Sequence, residues 1–315
     1  MKAIINTEYG SADVLKLQEI EKPIPKPNEV LVKVYATTVN RTDTGLRSAE
    51  YFISRLFTGL FKPRFHTLGS EFAGIIEQIG ENVKSFKVGD EIFGLSTSNF
   101  GTHAEYLAIP ESASIALKPQ NFTFYEAACI CEGPYLALNY LTKFKIDSTT
   151  KILINGTSGS IGSSGLQLAK YFGAEVTAVT DTKNLALAKT LGADFVVDYT
   201  KEDFTDTDKK FDLVFDAVGK SSFFKCKKLL KENGTYFSTE LGYLSQNVYL
   251  PLFTKKIIFP IPKDTKEQVE FFKDLAEKGH LRAIIDRQYT LEEVAEAHRY
   301  VEKGMKVGSV SIKVV

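Results

Sequence analysis

The residues best placed to do chemistry lie in a glycine turn. Ile152-Leu-Ile-Asn155 is followed by Gly156-Thr-Ser-Gly159-Ser-Ile-Gly162, after which Ile161, Gly165, Leu168 and Phe172 recur at four, three and four residues. An apolar strand that turns through small residues straight into a helix presents backbone N–H groups and the positive helix end to an anion, and a pyrophosphate suits both. Glycine is needed where the backbone must come close to phosphate or to the strand. The spacing is G-x-x-G-x-x-G rather than the commoner G-x-G-x-x-G, so the flanking strand and helix carry the assignment. The candidate phosphate-binding residues are Asn155, Gly156, Thr157, Ser158, Gly159, Ser160, Ile161 and Gly162. The alternative is a glycine-rich turn that holds no ligand.

The next strand, Glu175-Val-Thr-Ala-Val179, ends at Thr180, where an NAD-binding protein usually places an acid for the ribose hydroxyls. Thr180 does not repel a 2′-phosphate, and Lys183 and Asn184 supply a cation and an amide donor just beyond it. A strand ending one residue later would make Asp181 the NAD-selecting acid. The expected cofactor is NADPH.

A second constellation lies nearer the N-terminus. Asn40, Asp43, Arg47 and Tyr51 are three, four and four residues apart, which on a helix makes one polar stripe. The stripe is either a solvated face holding an Asp43–Arg47 ion pair or part of a substrate or nicotinamide site.

The elements that must position these residues fall into two rhythms. From Val30 to about Leu117 there are short β-rich runs broken by glycine and proline: Val30 to Tyr35, Glu71 to Ile79, Asp90 to Phe93 and Ala104 to Ile109. From Lys151 strands and helices alternate, which predicts a parallel sheet. The helical stretches are Ile161 to Phe172, Lys183 to Leu191 and Ser221 to Lys231, with Gly173, Gly192 and Gly234 as their ends. Strands are expected at Lys151 to Asn155, Glu175 to Thr180, Phe195 to Asp198, Leu213 to Asp216 and Thr235 to Phe237. Thr290-Leu-Glu-Glu293 fits a capping box, and Leu291, Val294, His298 and Val301 share one helical face, so His298 reads as a packed helix residue. Val307 to Val315 alternates like a strand and has no partner in the αβ series, so it is expected to return to the first domain.

A chain of 315 residues is long for one core, and two domains are expected. The 39 basic and 39 acidic residues balance, which gives no reason to expect nucleic acid or a membrane surface as partner. No apolar run reaches transmembrane length and the N-terminus lacks a signal-peptide form, so a cytoplasmic protein is expected. Cys129, Cys131 and Cys226 make neither a C-x-x-C pair nor an even set, which argues for reduced thiols.

Taken in order, the motifs resemble the quinone oxidoreductases, zinc-free members of the medium-chain dehydrogenase/reductase superfamily related to zeta-crystallin. Asn40-Arg-Thr-Asp43-Thr-Gly-Leu-Arg47-Ser-Ala-Glu-Tyr51 is similar to their cleft segment, and Leu68-Gly-Ser-Glu71-Phe-Ala-Gly74 with Val88-Gly-Asp90 to the superfamily's G-x-E-x-x-G signature. Phe211-Asp-Leu-Val-Phe-Asp-Ala217-Val218-Gly219 resembles the strand bordering the nicotinamide, which adds Ala217, Val218 and Gly219 to the cofactor residues. The resemblance implies an α/β protein: a GroES-like β domain from residues 1–120 and 260–315, and a Rossmann doubly wound parallel sheet from 121–259.

It also implies a zinc-independent mechanism, because Asn40 and Ser70 stand where zinc-dependent relatives carry cysteine and histidine, and Cys131, near a third position, cannot build a three-ligand site alone. No metal is expected. Tyr51 is implied as the hydrogen-bond donor to the acceptor oxygen, with Asn40 and Arg47 orienting it or the cofactor and Asp43 holding Arg47 or the helix. The acceptor would be a quinone or a conjugated enone, a small molecule in either case; reduction of an alkenal double bond, or NADPH binding without turnover, are the alternatives. The segment 52–68, with four phenylalanines, would be a lid or core packing. Tyr249-Leu-Pro-Leu-Phe-Thr254 and Ile257-Ile-Phe259 would suit a sheet edge through which a homodimer forms.

Overall fold

The structure is a computed structural model, and it describes residues 1–49, 55–241 and 245–315. The chain divides into two compact units, Met1–Glu132 with Asp264–Val315, and Gly133–Lys263. These boundaries fall slightly later than those at 120 and 259 expected from sequence; at the first of them the short helix at Phe124–Ala128 packs against β-strands of the first unit.

In chain order the first unit opens with β1 (Lys2–Ile5), β2 (Lys16–Glu19), β3 (Glu29–Val39), α1 (Arg41–Ser48), α2 (Arg55–Thr58), β4 (Glu71–Ile79), β5 (Glu91–Leu95), β6 (Tyr106–Pro110), β7 (Ile115–Leu117) and α3 (Phe124–Ala128). The middle of the chain holds α4 (Glu132–Leu141), β8 (Lys151–Asn155), α5 (Ser160–Tyr171), β9 (Glu175–Thr180), α6 (Leu185–Thr190), β10 (Phe195–Asp198), β11 (Phe211–Asp216), α7 (Phe223–Cys226), β12 (Leu230–Ser238), α8 (Gln246–Tyr249) and β13 (Ile257–Ile258). The chain then returns to the first unit with α9 (Lys266–Glu277), β14 (Ile285–Thr290), α10 (Val294–Glu302) and β15 (Ser309–Lys313).

In the first unit, strands run β14-β15-β3-β4-β5-β7, with β6 also on β3. β15 pairs antiparallel with β3, Val310 opposite Val39, so the C-terminal strand does return as its alternation predicts. Alternate residues of β3 (Val30, Val32, Val34) join Phe72, Ile76, Ile92, Leu107 and Ile109 in one buried cluster, which is why a strand of eleven residues survives without a break. Val294, Ala297 and Val301 of α10 pack in a second cluster with Leu291, Val39, Leu68 and Val310. The capping box at Thr290 and Glu293 is present, and His298 is fully buried on that helix.

In the second unit the sheet is β10-β9-β8-β11-β12-β13, all parallel. Counted from its own first strand this order is 3-2-1-4-5-6, with the reversal between β8 and β11. Gly173 and Gly192 end α5 and α6 at φ +98° and +100°, conformations that glycine adopts without penalty.

Two expectations are corrected. Helix from Ser221 to Lys231 is confined to α7 and a 3-10 turn at Lys227–Leu229, and Gly234 lies inside β12 instead of ending a helix. A side chain there would meet the Phe211 carbonyl oxygen at 2.7 Å, so the glycine serves a close strand-to-strand approach. The 249–254 segment is helical, α8 followed by a 3-10 turn at Leu250–Leu252, and the edge strand is Ile257–Ile258 alone. Among the described residues, no helix is long and apolar enough to cross a membrane.

Candidate active site

The phosphate turn is built at the reversal of the parallel sheet. Asn155, the last residue of β8, donates its amide to Asp216 Oδ1 at 3.0 Å, and its carbonyl accepts the Ala217 N–H at 3.0 Å. Asp216, fully buried at the end of β11, also accepts from Ser221 N at 2.9 Å and from Tyr236 Oη at 3.3 Å. These bonds lock the two strand ends that flank the switch point.

Gly156 then takes φ +86°, and Val218 lies over it: a Cβ at this position would fall 2.3 Å from Val218 Cγ1. Thr157 turns inward, its hydroxyl on the Val179 carbonyl at 3.2 Å. Gly162 is held closer still: a Cβ would come within 2.1 Å of the Gly156 carbonyl oxygen, so helix and strand end could not keep their spacing with any other residue. Gly159 differs. As the residue capping α5 it brings no side chain to the helix end, and a Cβ there would meet nothing nearer than Gly156 O at 3.7 Å. Unfilled space beside the N-terminus of a twelve-residue helix is the cradle a pyrophosphate requires.

β9 ends at Thr180, not at Asp181. The Thr180 hydroxyl is buried with no hydrogen-bond partner among the described residues. Asp181 begins a 3-10 turn, and its carboxylate accepts the Asn184 side-chain amide at 2.6 Å. Asn184 is therefore engaged with Asp181, and Lys183 is the exposed cation at this position. Gly219 takes φ +63° and packs against Glu240, whose Cγ would lie 2.3 Å from an added Cβ. The candidate cofactor residues thus lie at the C-terminal ends of β8, β9 and β11. Its donor chemistry fits a dinucleotide.

In the first unit Asn40, Asp43 and Arg47 of the polar stripe are buried rather than solvated. Asn40 caps α1, its side-chain oxygen accepting Asp43 N at 2.9 Å while Asp43 Oδ2 accepts Asn40 N at 3.0 Å. Asp43 Oδ1 accepts Gly69 N at 3.0 Å. Burial pushes the Asp43 carboxyl up to about 7 against the pull of those two N–H donors. The Asp43–Arg47 ion pair does not form, because Arg47, 1% exposed, pairs with Glu302 at the end of α10. Its Nε and Nη1 find no partner among the described residues. Tyr51, and residues 52–54 of the segment considered as a lid, lie outside the described residues; of the rest, Phe65 stacks edge-on with Phe100 and Phe61 is exposed.

The structure adds residues that sequence reasoning missed. Glu71 accepts Glu132 N at 2.5 Å and the Thr38 hydroxyl, and Glu132 accepts the Thr42 hydroxyl at 2.6 Å. Lys306 faces both acids and donates to the Gly308 carbonyl at 2.5 Å. Burial raises Glu71 and Glu132 and lowers Lys306. Glu71 is the acid of the G-x-E-x-x-G motif, which by itself assigns it no partner, whereas Glu132 and Lys306 carry no spacing signal at all. Of the histidines, His103 is buried with Nε2 2.8 Å from the Thr38 carbonyl oxygen, a scaffold role.

Comparison with known proteins bears on this arrangement. Residues 26–120 match the alcohol dehydrogenase GroES-like domain family and residues 191–312 the zinc-binding dehydrogenase family. The chain is 35% identical to 2-methylene-furan-3-one reductase of Solanum lycopersicum, an alignment spanning 99% of this chain and 79% of that protein. It is 28% identical to human quinone oxidoreductase over 96% of this chain and 94% of that one. The chain belongs to the quinone oxidoreductase family of the medium-chain dehydrogenase/reductase superfamily. The solved quinone oxidoreductase of Coxiella burnetii, another similar structure, superimposes with a TM-score of 0.89 at 28% identity, covering 100% of this chain and 99% of that one.

Within this family a zinc site has to be tested against the residues present. Asn40 Nδ2 donates to Ser70 Oγ at 2.9 Å, so the two positions that would carry ligands hold an amide and a hydroxyl already satisfied by each other. Cys131 is buried, its thiol raised well above its ordinary range by burial and nearby Glu71, and its Sγ lies 3.6 Å from the Ala127 carbonyl oxygen. A protonated thiol, an amide and a hydroxyl do not fit zinc, whose ligands are thiolate, imidazole or carboxylate.

Proposed function

We propose that this chain is a zinc-independent, NADPH-dependent oxidoreductase that reduces quinones or similar small conjugated carbonyl acceptors. The observation that carries the reading is the open cradle at Gly159 beside a second strand ending in Thr180, with Lys183 beyond it. Bound NADPH would supply a hydride. The N–H groups of residues 156–162 would hold its pyrophosphate, Lys183 its 2′-phosphate, and Ala217, Val218 and Gly219 would border its nicotinamide.

In the other unit, Asp43 keeps Asn40 and Gly69 in place through both carboxylate oxygens, and Asn40 in turn orients Ser70. Tyr51 is proposed as the donor to the acceptor oxygen, and Arg47 as a positioning residue that ties α1 to α10. The protein is proposed to work in the cytoplasm as a homodimer.

A second reading is favoured by a specific observation. The tomato reductase and the NADPH-dependent alkenal/one oxidoreductase of Arabidopsis thaliana are 35% and 32% identical to this chain, against 28% and 31% for the human and Sus scrofa quinone oxidoreductases. That pattern favours reduction of a conjugated double bond. The test is NADPH oxidation, with NADH in parallel, against para-benzoquinone, an ortho-quinone, a 2-alkenal and a simple ketone. Quinone turnover supports the first reading and alkenal preference the second; tight NADPH binding without turnover of any acceptor would leave a non-catalytic binding protein.

A further inference from the structure

The two turns that leave the adjacent strands β8 and β11 of the second unit are held by different anchors. The turn after β8 hangs on β9: Gly156 N and Thr157 N both donate to the Val179 carbonyl, at 3.0 and 3.2 Å, and the Thr157 hydroxyl donates to it as well. The turn after β11 hangs on the side chain that ends its own strand. Ala217 N makes the last ladder bond, to the Asn155 carbonyl, and beyond it Asp216 Oδ1 accepts Val218 N at 3.4 Å while Oδ2 accepts Ser221 N at 2.9 Å. Asn155 Nδ2 on Oδ1 at 3.0 Å and Tyr236 Oη on Oδ2 at 3.3 Å complete the set.

Four donors thus meet one fully buried carboxylate, a group that accepts at both oxygens; an amide in its place would turn an N–H towards one pair of them. The consequence falls on Val218. It is 37% exposed and lies so close over Gly156 that a Cβ there would be 2.3 Å from its Cγ1, so the turn held by Asp216 covers the phosphate turn without sharing its anchor on Val179. The main chain of Asn155, which touches both, stays paired in the ladders to β9 and β11.

We propose that Asp216 is a positioning residue for the nicotinamide half of the cofactor, shaping the turn 217–221 that seats the ring and leaving the phosphate half to the turn held on Val179. The inference rests on the NADPH-dependent reading above and deepens it, dividing the cofactor seat into two parts that can be broken separately. Fully buried, Asp216 acts through the backbone N–H groups of Val218 and Ser221.

The test is calorimetric titration of the whole chain with NADPH and with 2′-phospho-ADP-ribose, which is NADPH without its nicotinamide. Asp216→Asn should weaken NADPH binding about tenfold or more and leave the fragment within about twofold of wild type. Tyr236→Phe removes one donor and keeps the carboxylate, so it should show the same split at about threefold, and it carries the test should Asp216→Asn fail to fold. A general loosening of the sheet would weaken both ligands alike, which makes the ratio of the two affinities the readout that separates seating from folding. Equal weakening of both ligands, or NADPH binding unchanged in both variants, overturns the proposal. Failure of the NADPH reading looks different: wild type itself binds neither ligand, which removes the cofactor along with its seat.

Discussion

Replacing Gly159 with alanine separates ligand binding from folding. Gly159 has φ −76° and ψ 167°, a conformation open to any residue, and the added methyl would meet nothing nearer than 3.7 Å. Alanine is a poorer helix cap than glycine by about 0.5–1 kcal/mol, while the loss of unfolded-chain freedom returns about 0.4–1 kcal/mol. The two cancel to within about 0.5 kcal/mol, so Tm without ligand should move by no more than about 2 °C. With ligand, the methyl occupies the space through which a phosphate oxygen must reach the first-turn N–H groups. Losing one charge-assisted hydrogen bond costs about 1.5–3 kcal/mol, which weakens NADPH binding by about 10- to 150-fold.

Calorimetric titration with NADPH and thermal unfolding of the unliganded protein measure the two quantities separately. Unchanged Tm together with NADPH affinity within about twofold of wild type would refute the cradle. The neighbouring Gly162→Ala should do the opposite. Its methyl would be 2.1 Å from the Gly156 carbonyl oxygen, so the unliganded protein should lose about 1–3 kcal/mol despite a gain of about 1 kcal/mol in helix propensity.

Other expectations are open to direct measurement. Asp43→Asn puts an amide donor against one of two backbone N–H groups and should cost about 2–4 kcal/mol in denaturant unfolding; a loss within error would sink the bracing role. Burial holds His103 down at about 4, below its unfolded value near 6.5, so its contribution to stability is complete above about pH 6.5 and is lost as pH falls toward 4. His103→Gln, which keeps a donor for Thr38, should remove up to about 3 kcal/mol of that pH dependence, and an identical pH–stability curve would contradict it. Lys183→Ala should raise Kd for NADPH on the order of tenfold and leave NADH unchanged, whereas equal effects on both would remove Lys183 from the 2′-phosphate. Dialysis against a chelator should leave acceptor reduction unaffected, and activity lost and then restored by zinc would overturn the donor-set argument.

Local chemistry made much of this molecule legible in its sequence. The 156–162 turn, the end of β9 at Thr180, the capping box at Thr290 and the strand nature of 307–315 each depend on residues close together along the chain: a positive φ that needs glycine, a cap that needs a short polar side chain, an alternation that needs one apolar face. Where local signals were ambiguous the reading slipped, as at Gly234, whose need for glycine comes from Phe211 on the neighbouring strand.

What tertiary structure alone decided is the fate of the buried charges. Asn40, Asp43 and Arg47 form a regular stripe, yet Asp43 turns to the Gly69 N–H and Arg47 to Glu302, 255 residues along the chain. Thr42 meets Glu132 across 90 residues, and Lys306 joins from the far end. No spacing rule reports such meetings, because a charged group is driven to whichever partner the packed sheet leaves within reach once water is excluded, and that choice is made by the fold as a whole.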